Sequence, residues 1–335
     1  MGAMAPALDT DFLLAATRRM HEAIRERTGA LLERARRAQQ PDLASAPGPW
    51  GFGDLSYPLD EEAEDALEDF GREVGARHPL TLIAEGPGMQ RYGEEGAGAP
   101  LRVLIDPVDG TRSLMHDMRS AWALTGIAPD RGDLTRLSDC VLAVQTELPT
   151  TSAGFYHVLW AEKGQGATIA RHAVATGEEL ERRPFVATAG ARIDNGYLCF
   201  ERFLPVERPL VAEIEARFLT RAIEAFDLSP RLLYDDQYLC SAGQLFLVAT
   251  GRYRMLADLR GWLARTRGID NFTSKPYDLA TLLIWREAGI PVLDDDLAPL
   301  DAPLDTETRL SVIAFANDEL RHKLQPILRA VMAEE

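Results

Sequence analysis

Clustered positive charge is what this sequence most lacks. Its 36 Lys and Arg residues stand against 52 Asp and Glu, a formal net charge of −16 at pH 7. Nucleic-acid backbones and anionic membrane surfaces are recognised by concentrated Lys and Arg, so neither is expected as the main partner, and an anionic small substrate would need help from metal ions. Cysteine is scarce: Cys140, Cys199 and Cys240 are widely spaced in apolar surroundings. That pattern fits neither a disulfide framework nor a zinc site and leaves buried thiols. No apolar run approaches the ~20 residues of a membrane span. The N-terminus carries acids and arginines where a secretion signal would be apolar, so a cytoplasmic protein is expected.

What is present describes a folded enzyme-sized chain. With 335 residues, 46% hydrophobic and 26% charged, one large domain or two intimately joined ones are the reasonable architectures. We expect two halves sharing a cleft, residues 1–188 and 189–335. Leu13, Met20, Ile24 and Leu31 recur at helical spacing from Asp11 to about Gln40, and "PDLASAPGPWGFG" then breaks the helix. A second amphipathic helix is expected in "LDEEAEDALEDFGREVGARH", with Ala63, Ala66, Leu67, Phe70 and Val74 on one face. The short apolar runs "TLIAE", "LRVLID", "WALTGIA" and "CVLAVQTEL" read as strands, and "GFYHVLWAEKGQGATIAR" as a hairpin turning at Gly164 to Gly166. The first half is therefore helices on a mostly antiparallel sheet. From about residue 190 strands and helices alternate, ending in "PYDLATLLIWREAG" as one helix, the strand "LSVIAFAN" and a last helix from near Asp318. The fold class is α+β passing into α/β.

The stretch "LIDPVDGTRSL" sets Asp106 and Asp109 three positions apart at the end of an apolar run. Asp, Pro and Gly are ordinary turn formers, so a turn is the simplest reading. Two carboxylates in a small space repel unless a cation neutralises them, which makes a metal the alternative. Glu85 ends one strand and Asp106 another, and the carbonyl of Val108 lies between the two aspartates. An all-oxygen set of this kind suits Mg²⁺. Gly110 and Thr111 then open a short helix, "TRSLMHDM", whose first amides would face the same place and suit phosphate.

"DPVDGT" with Glu85 upstream resembles the first signature of the inositol monophosphatase family, and "YDLATLLIWREAGIPVLD" resembles its second. "DLSYPLD", "AEKGQGAT" and "LFLVATGRYRMLAD" are similar to further segments of that family, so the resemblance covers most of the chain from about residue 50. It implies a layered αβαβα sugar-phosphatase fold and hydrolysis of a sugar or inositol phosphate monoester by metal-activated water, with Mg²⁺ as cofactor, about two or three ions per site. Carried over by position, it implies that Glu85, Asp106 and the carbonyl of Val108 hold one ion, and that Asp106, Asp109 and Asp278 hold a second. Asp60 and Thr111 would orient and deprotonate the attacking water, with Glu85 also counted in the catalytic set. Gly110, Thr111, Ser241 and Asp258 would contact substrate, and the family implies a homodimer and inhibition by lithium.

Two of these residues have plainer readings. Asp60 suits an N-cap of the following helix, and Asp278 a first-turn acid. The surroundings also depart from the family: Gly86 replaces an acid, Leu114 an aromatic ring, and Leu279 and Thr281 stand where small residues are usual. The insertion "LRGWLARTRGIDNFTSKPY" between Asp258 and Asp278 is long and reads as an exposed loop. The alternatives within the superfamily are a fructose-1,6-bisphosphatase or a 3′(2′)-phosphonucleotide phosphatase. The alternative of another class is a homologue that binds a ligand or partner without catalysis.

Overall fold

The sheet runs are nearly continuous apolar segments, which form strands covered on both faces. The computed structural model describes residues 8–38, 48–49, 55–56, 58–94, 98–269 and 272–334. The break expected at "PDLASAPGPWGFG" lies almost wholly outside them. Two compact units result. The first comprises Met1–Phe185 with Pro276–Ile284 and Ala302–Thr308; the second comprises Val186–Lys275, Trp285–Asp301 and Arg309–Glu335. Asp278 therefore belongs to the first unit, although it lies far along the sequence.

Unit 1 is built on an eight-stranded sheet. Its spatial order is Glu179–Phe185, Ala167–Ala173, Phe155–Glu162, Leu142–Leu148, Ala121–Pro129, Leu101–Asp109, Leu80–Ala84 and Gly88–Tyr92. Every pairing is antiparallel except that of Leu80–Ala84 with Leu101–Asp109, which is parallel. Helices Thr10–Arg37 and Glu64–Gly75 contribute Leu13, Met20, Ile24, Phe70 and Val74 to one core with Leu82, Val103, Ile105 and Leu142. The first helix starts where Asp9 accepts a hydrogen bond from the Phe12 amide at 3.0 Å, a side-chain N-cap.

Unit 2 carries a five-stranded mixed sheet in the order Leu233–Tyr234, Gly196–Phe200, Tyr253–Asp258, Val312–Phe315 and Val292–Leu293. Its helices include Arg208–Phe226, Ser241–Ala249 and Asp318–Met332. The insertion after Asp258 departs from the exposed loop expected of it. It forms a helix, Arg260–Arg267, with Arg260, Trp262 and Leu263 buried. Gly261 meets the Leu310 backbone so closely that a Cβ would lie 2.4 Å from the Leu310 carbonyl carbon. All three cysteines are buried and free. Among the described residues no helix is long and apolar enough to cross a membrane.

Two elements near the acids differ from their sequence reading. The run ending at Asp106 continues as strand through Pro107 to Asp109 instead of turning. The helix expected over 276–289 is interrupted: a 3₁₀ turn, Tyr277–Leu279, precedes a short helix, Leu282–Glu287. In the first case a bulge replaces the turn. In the second, tertiary contacts of Ala280 and Thr281 outweigh helical periodicity.

Candidate active site

Residues three apart on a regular strand face opposite sides of a sheet. Asp106 pairs with Leu124, but Asp109 pairs with Trp122, so three steps on one strand match two on the other. This bulge resets the alternation, and Pro107, which has no N–H to give a ladder, sits within it. The Val108 amide, released from regular pairing, donates to Asp106 Oδ1 at 3.0 Å. Next door, the parallel strand sets Ala84 against Ile105, and the Glu85 amide donates to the Ile105 carbonyl at 3.1 Å. Glu85 is thereby delivered beside Asp106.

The third aspartate comes from the 3₁₀ turn Tyr277–Leu279. Asp106, Asp109 and Asp278 each place a carboxylate oxygen within 4.8 Å of the others. Asp106 and Asp109 are buried and Asp278 is half-buried. Burial first, then the charges of Asp109 and Asp278, push the Asp106 carboxyl well above its ordinary range, while hydrogen bonds from Glu85 and the Val108 amide pull it back. Three carboxylates brought this close, two of them buried, have the donor chemistry of a hard divalent cation.

Gly110 follows with φ 97°, a left-handed conformation that a glycine adopts without steric cost, and starts the helix Thr111–Met115. The Thr111 hydroxyl lies 3.0 Å from Asp60 Oδ1 and 2.7 Å from the Val108 carbonyl, both acceptors for its single proton. Asp60 belongs to the short helix Pro58–Glu61. It is not an N-cap: the next helix begins at Glu64, capped by Ala63 without a side-chain bond. The Asp60 carboxylate is thus directed to Thr111.

Ser241 and Asp258 lie in unit 2, in a buried polar network of their own. Asp258 accepts from Arg260 through both oxygens, Nε to Oδ1 at 2.8 Å and Nη2 to Oδ2 at 2.7 Å. Ser274 donates to Oδ2 at 2.8 Å, and Ser241 lies 3.3 Å from Ser274. Nearby, burial pushes the Glu201 carboxyl up to about 7, with Arg260 opposing and Asp258 reinforcing the shift; Gln244 donates to it. Arg260 was expected only as one of the arginines of an exposed loop, and Glu201 was passed over. The signal for the first was an arginine two residues after an acid at a strand end, and Glu201, one residue past the apolar run "YLCF", offered none.

No family profile matches the chain. A curated relative from Methanothermobacter thermautotrophicus, named fructose-1,6-bisphosphatase/inositol-1-monophosphatase, is 25% identical over 277 residues, 81% of each chain. That relative supports the resemblance to the inositol monophosphatase superfamily that the sequence motifs carry. Solved structures of that superfamily share this chain's fold. Fructose-1,6-bisphosphatase from Leishmania major in its holo form superposes with a TM-score of 0.67 at 14% identity, over 98% of this chain and 95% of that one. The inositol monophosphatase of Thermotoga maritima gives 0.56 at 18% identity, over 94% and 96%. The α+β sugar-phosphatase architecture expected from sequence is the superfamily's fold.

Proposed function

We propose that this protein hydrolyses phosphate monoesters of a sugar or an inositol in a Mg²⁺-dependent reaction. The observation that carries the reading is the convergence of Asp106, Asp109 and Asp278 within 4.8 Å, next to a Thr111 hydroxyl hydrogen-bonded to Asp60. Glu85, Asp106, Asp109, Asp278 and the Val108 carbonyl are the groups that would hold about two or three ions. Bound there, Mg²⁺ would neutralise phosphoryl charge and acidify water. With its hydroxyl proton turned to Asp60 rather than to the Val108 carbonyl, Thr111 would keep its oxygen lone pairs free to accept a hydrogen bond from a water and orient it. Asp60 is the acceptor that takes up the proton passed through this hydroxyl. Glu85 and Asp106, delivered side by side by adjacent parallel strands, would act as paired ligands. The Gly110 and Thr111 amides are assigned to the phosphoryl oxygens. We further propose a cytoplasmic homodimer.

The test is phosphate release from inositol 1-phosphate, fructose 1,6-bisphosphate and a 3′-phosphonucleotide, with Mg²⁺ and after chelation. Mg²⁺-dependent turnover of at least one is expected, and Thr111→Val is expected to lower it by roughly 10²–10⁴-fold. No release from any ester at saturating Mg²⁺ would overturn the catalytic reading in favour of a ligand-binding homologue.

A further inference from the structure

A three-residue 3₁₀ turn is a weak device for holding a metal ligand: it fixes few dihedrals and frays easily. The turn that carries Asp278 is preceded by Pro276 and has no side-chain cap of its own. Something outside it must hold Asp278 against Asp106 and Asp109, and three residues on the neighbouring strands meet that need.

Asp106, Leu124 and Gln145 stand directly opposite one another on three adjacent strands. Residues in register share a face of the sheet. Asp106 and Gln145 are therefore two ends of one cross-strand row, about 10 Å apart at the usual strand spacing. The segment 278–281 reaches both ends of that row. Asp278 meets Asp106 at one end. At the other, the Thr281 hydroxyl donates to Gln145 Oε1 at 2.8 Å, and both side chains are buried, at 1% and 0% exposure. Between these ends the Ala280 carbonyl presses on Gly126, where a Cβ would lie 2.2 Å away. Among the described residues the Gln145 amide nitrogen is buried without a partner, so the side chain's hydrogen bond runs to the Asp278 segment.

Resting on the metal-site reading above, we infer that Gln145 and Thr281, with Gly126 as the seat, are positioning residues that set the metal-binding geometry of Asp278. The threonine that departs from the family's small residue is, in this chain, the anchor of the ligand segment. Buried polar partners of ligands characteristically change metal affinity by 10–100-fold when lost.

The experiment is a titration with Mn²⁺ alone, followed by electron paramagnetic resonance, on the whole protein and on Thr281→Val, Thr281→Ser and Gly126→Ala. Thermal unfolding without metal is measured in parallel. Expected are saturable Mn²⁺ binding by the unaltered protein, a 10–100-fold weaker Kd for Thr281→Val and for Gly126→Ala, and recovery in Thr281→Ser. A role in stability alone would lower Tm while leaving the Mn²⁺ Kd unchanged, and that result overturns the inference while leaving the metal site standing. Absence of saturable Mn²⁺ binding by the unaltered protein would overturn the metal-site reading and the inference with it. Should Thr281→Val fail to fold, Gln145→Met, which removes the acceptor at similar volume, carries the same expectation.

Discussion

At Asp106 two costs coincide: the carboxylate is 1% exposed, and it faces Asp109 and Asp278. The same features that suit it to ligate a cation make it a burden on the metal-free fold. Asp106→Asn keeps the shape and the hydrogen bond accepted from the Val108 amide while removing the charge. Phosphate release is expected to fall by roughly 10²–10³-fold. Without Mg²⁺ and at alkaline pH, the variant should nevertheless unfold at a higher temperature than the unaltered protein. Loss of activity together with a lower metal-free Tm would contradict the repulsion argument. His21 is a contrasting buried group. Its two nitrogens lie 3.0 Å from Thr146 and 2.8 Å from Thr125, and burial alone holds its pKa down to about 3, so it is a neutral core residue.

Among the elements, the helix Glu64–Gly75 shows how narrowly packing is set. Gly75 faces the edge strand so closely that a Cβ would lie 2.7 Å from Tyr92 Cβ and 3.0 Å from the Gly93 amide nitrogen. Backbone contacts of that kind give way little. Gly75→Ala is expected to cost about 1–3 kcal/mol in urea unfolding through overpacking. In the helix Thr10–Arg37, Gly29 has nothing within 4 Å of the same added atom. Gly29→Ala is therefore expected to stabilise by about 0.4–1 kcal/mol through helix propensity and a smaller unfolded-state entropy. Equal effects at the two positions would refute the packing explanation. The elements themselves were largely legible: strands 80–84, 101–106, 121–129 and 142–148 showed as apolar runs. The strand Gly88–Tyr92 did not, because its residues alternate only between half-buried and exposed. The helix Arg260–Arg267 was hidden by three arginines in eight residues, one of them turned inward to Asp258.

For the whole molecule, these two buried groups give stability opposite slopes with pH. His21 has a folded pKa below its unfolded value, so below about 6.5 the unfolded chain binds a proton that the fold refuses. Stability is lost as pH falls from that point towards 3, by about 1.4 kcal/mol per unit. Asp106 has a folded pKa above its unfolded value of 3.8. The fold retains a proton that the unfolded chain has released, so this contribution is lost as pH rises from there through the folded pKa. On the proposed reading a divalent cation would take the place of that proton. The gain in Tm from saturating Mg²⁺ should therefore increase as pH rises, and the acid-side loss due to His21 should persist in the Mg²⁺-loaded protein. A gain independent of pH would exclude Asp106 as a ligand whose proton is displaced.

The sequence alone determined the strands, the main helices, the two acidic signatures and the kind of chemistry they suit, because apolar periodicity and the company of carboxylates with glycine are local properties. It also marked Asp60, Glu85, Thr111 and Asp278, through the family resemblance. Only the tertiary structure decided that Asp106 and Asp109 share a face, since that depends on one extra residue in a bulge opposite Trp122. It alone decided that Asp60 is turned to Thr111, that Asp258 is held by Arg260, and that Thr281 ties the Asp278 segment to Gln145. Each of these joins residues distant along the chain or depends on the register between strands, and register is fixed by packing of the whole sheet.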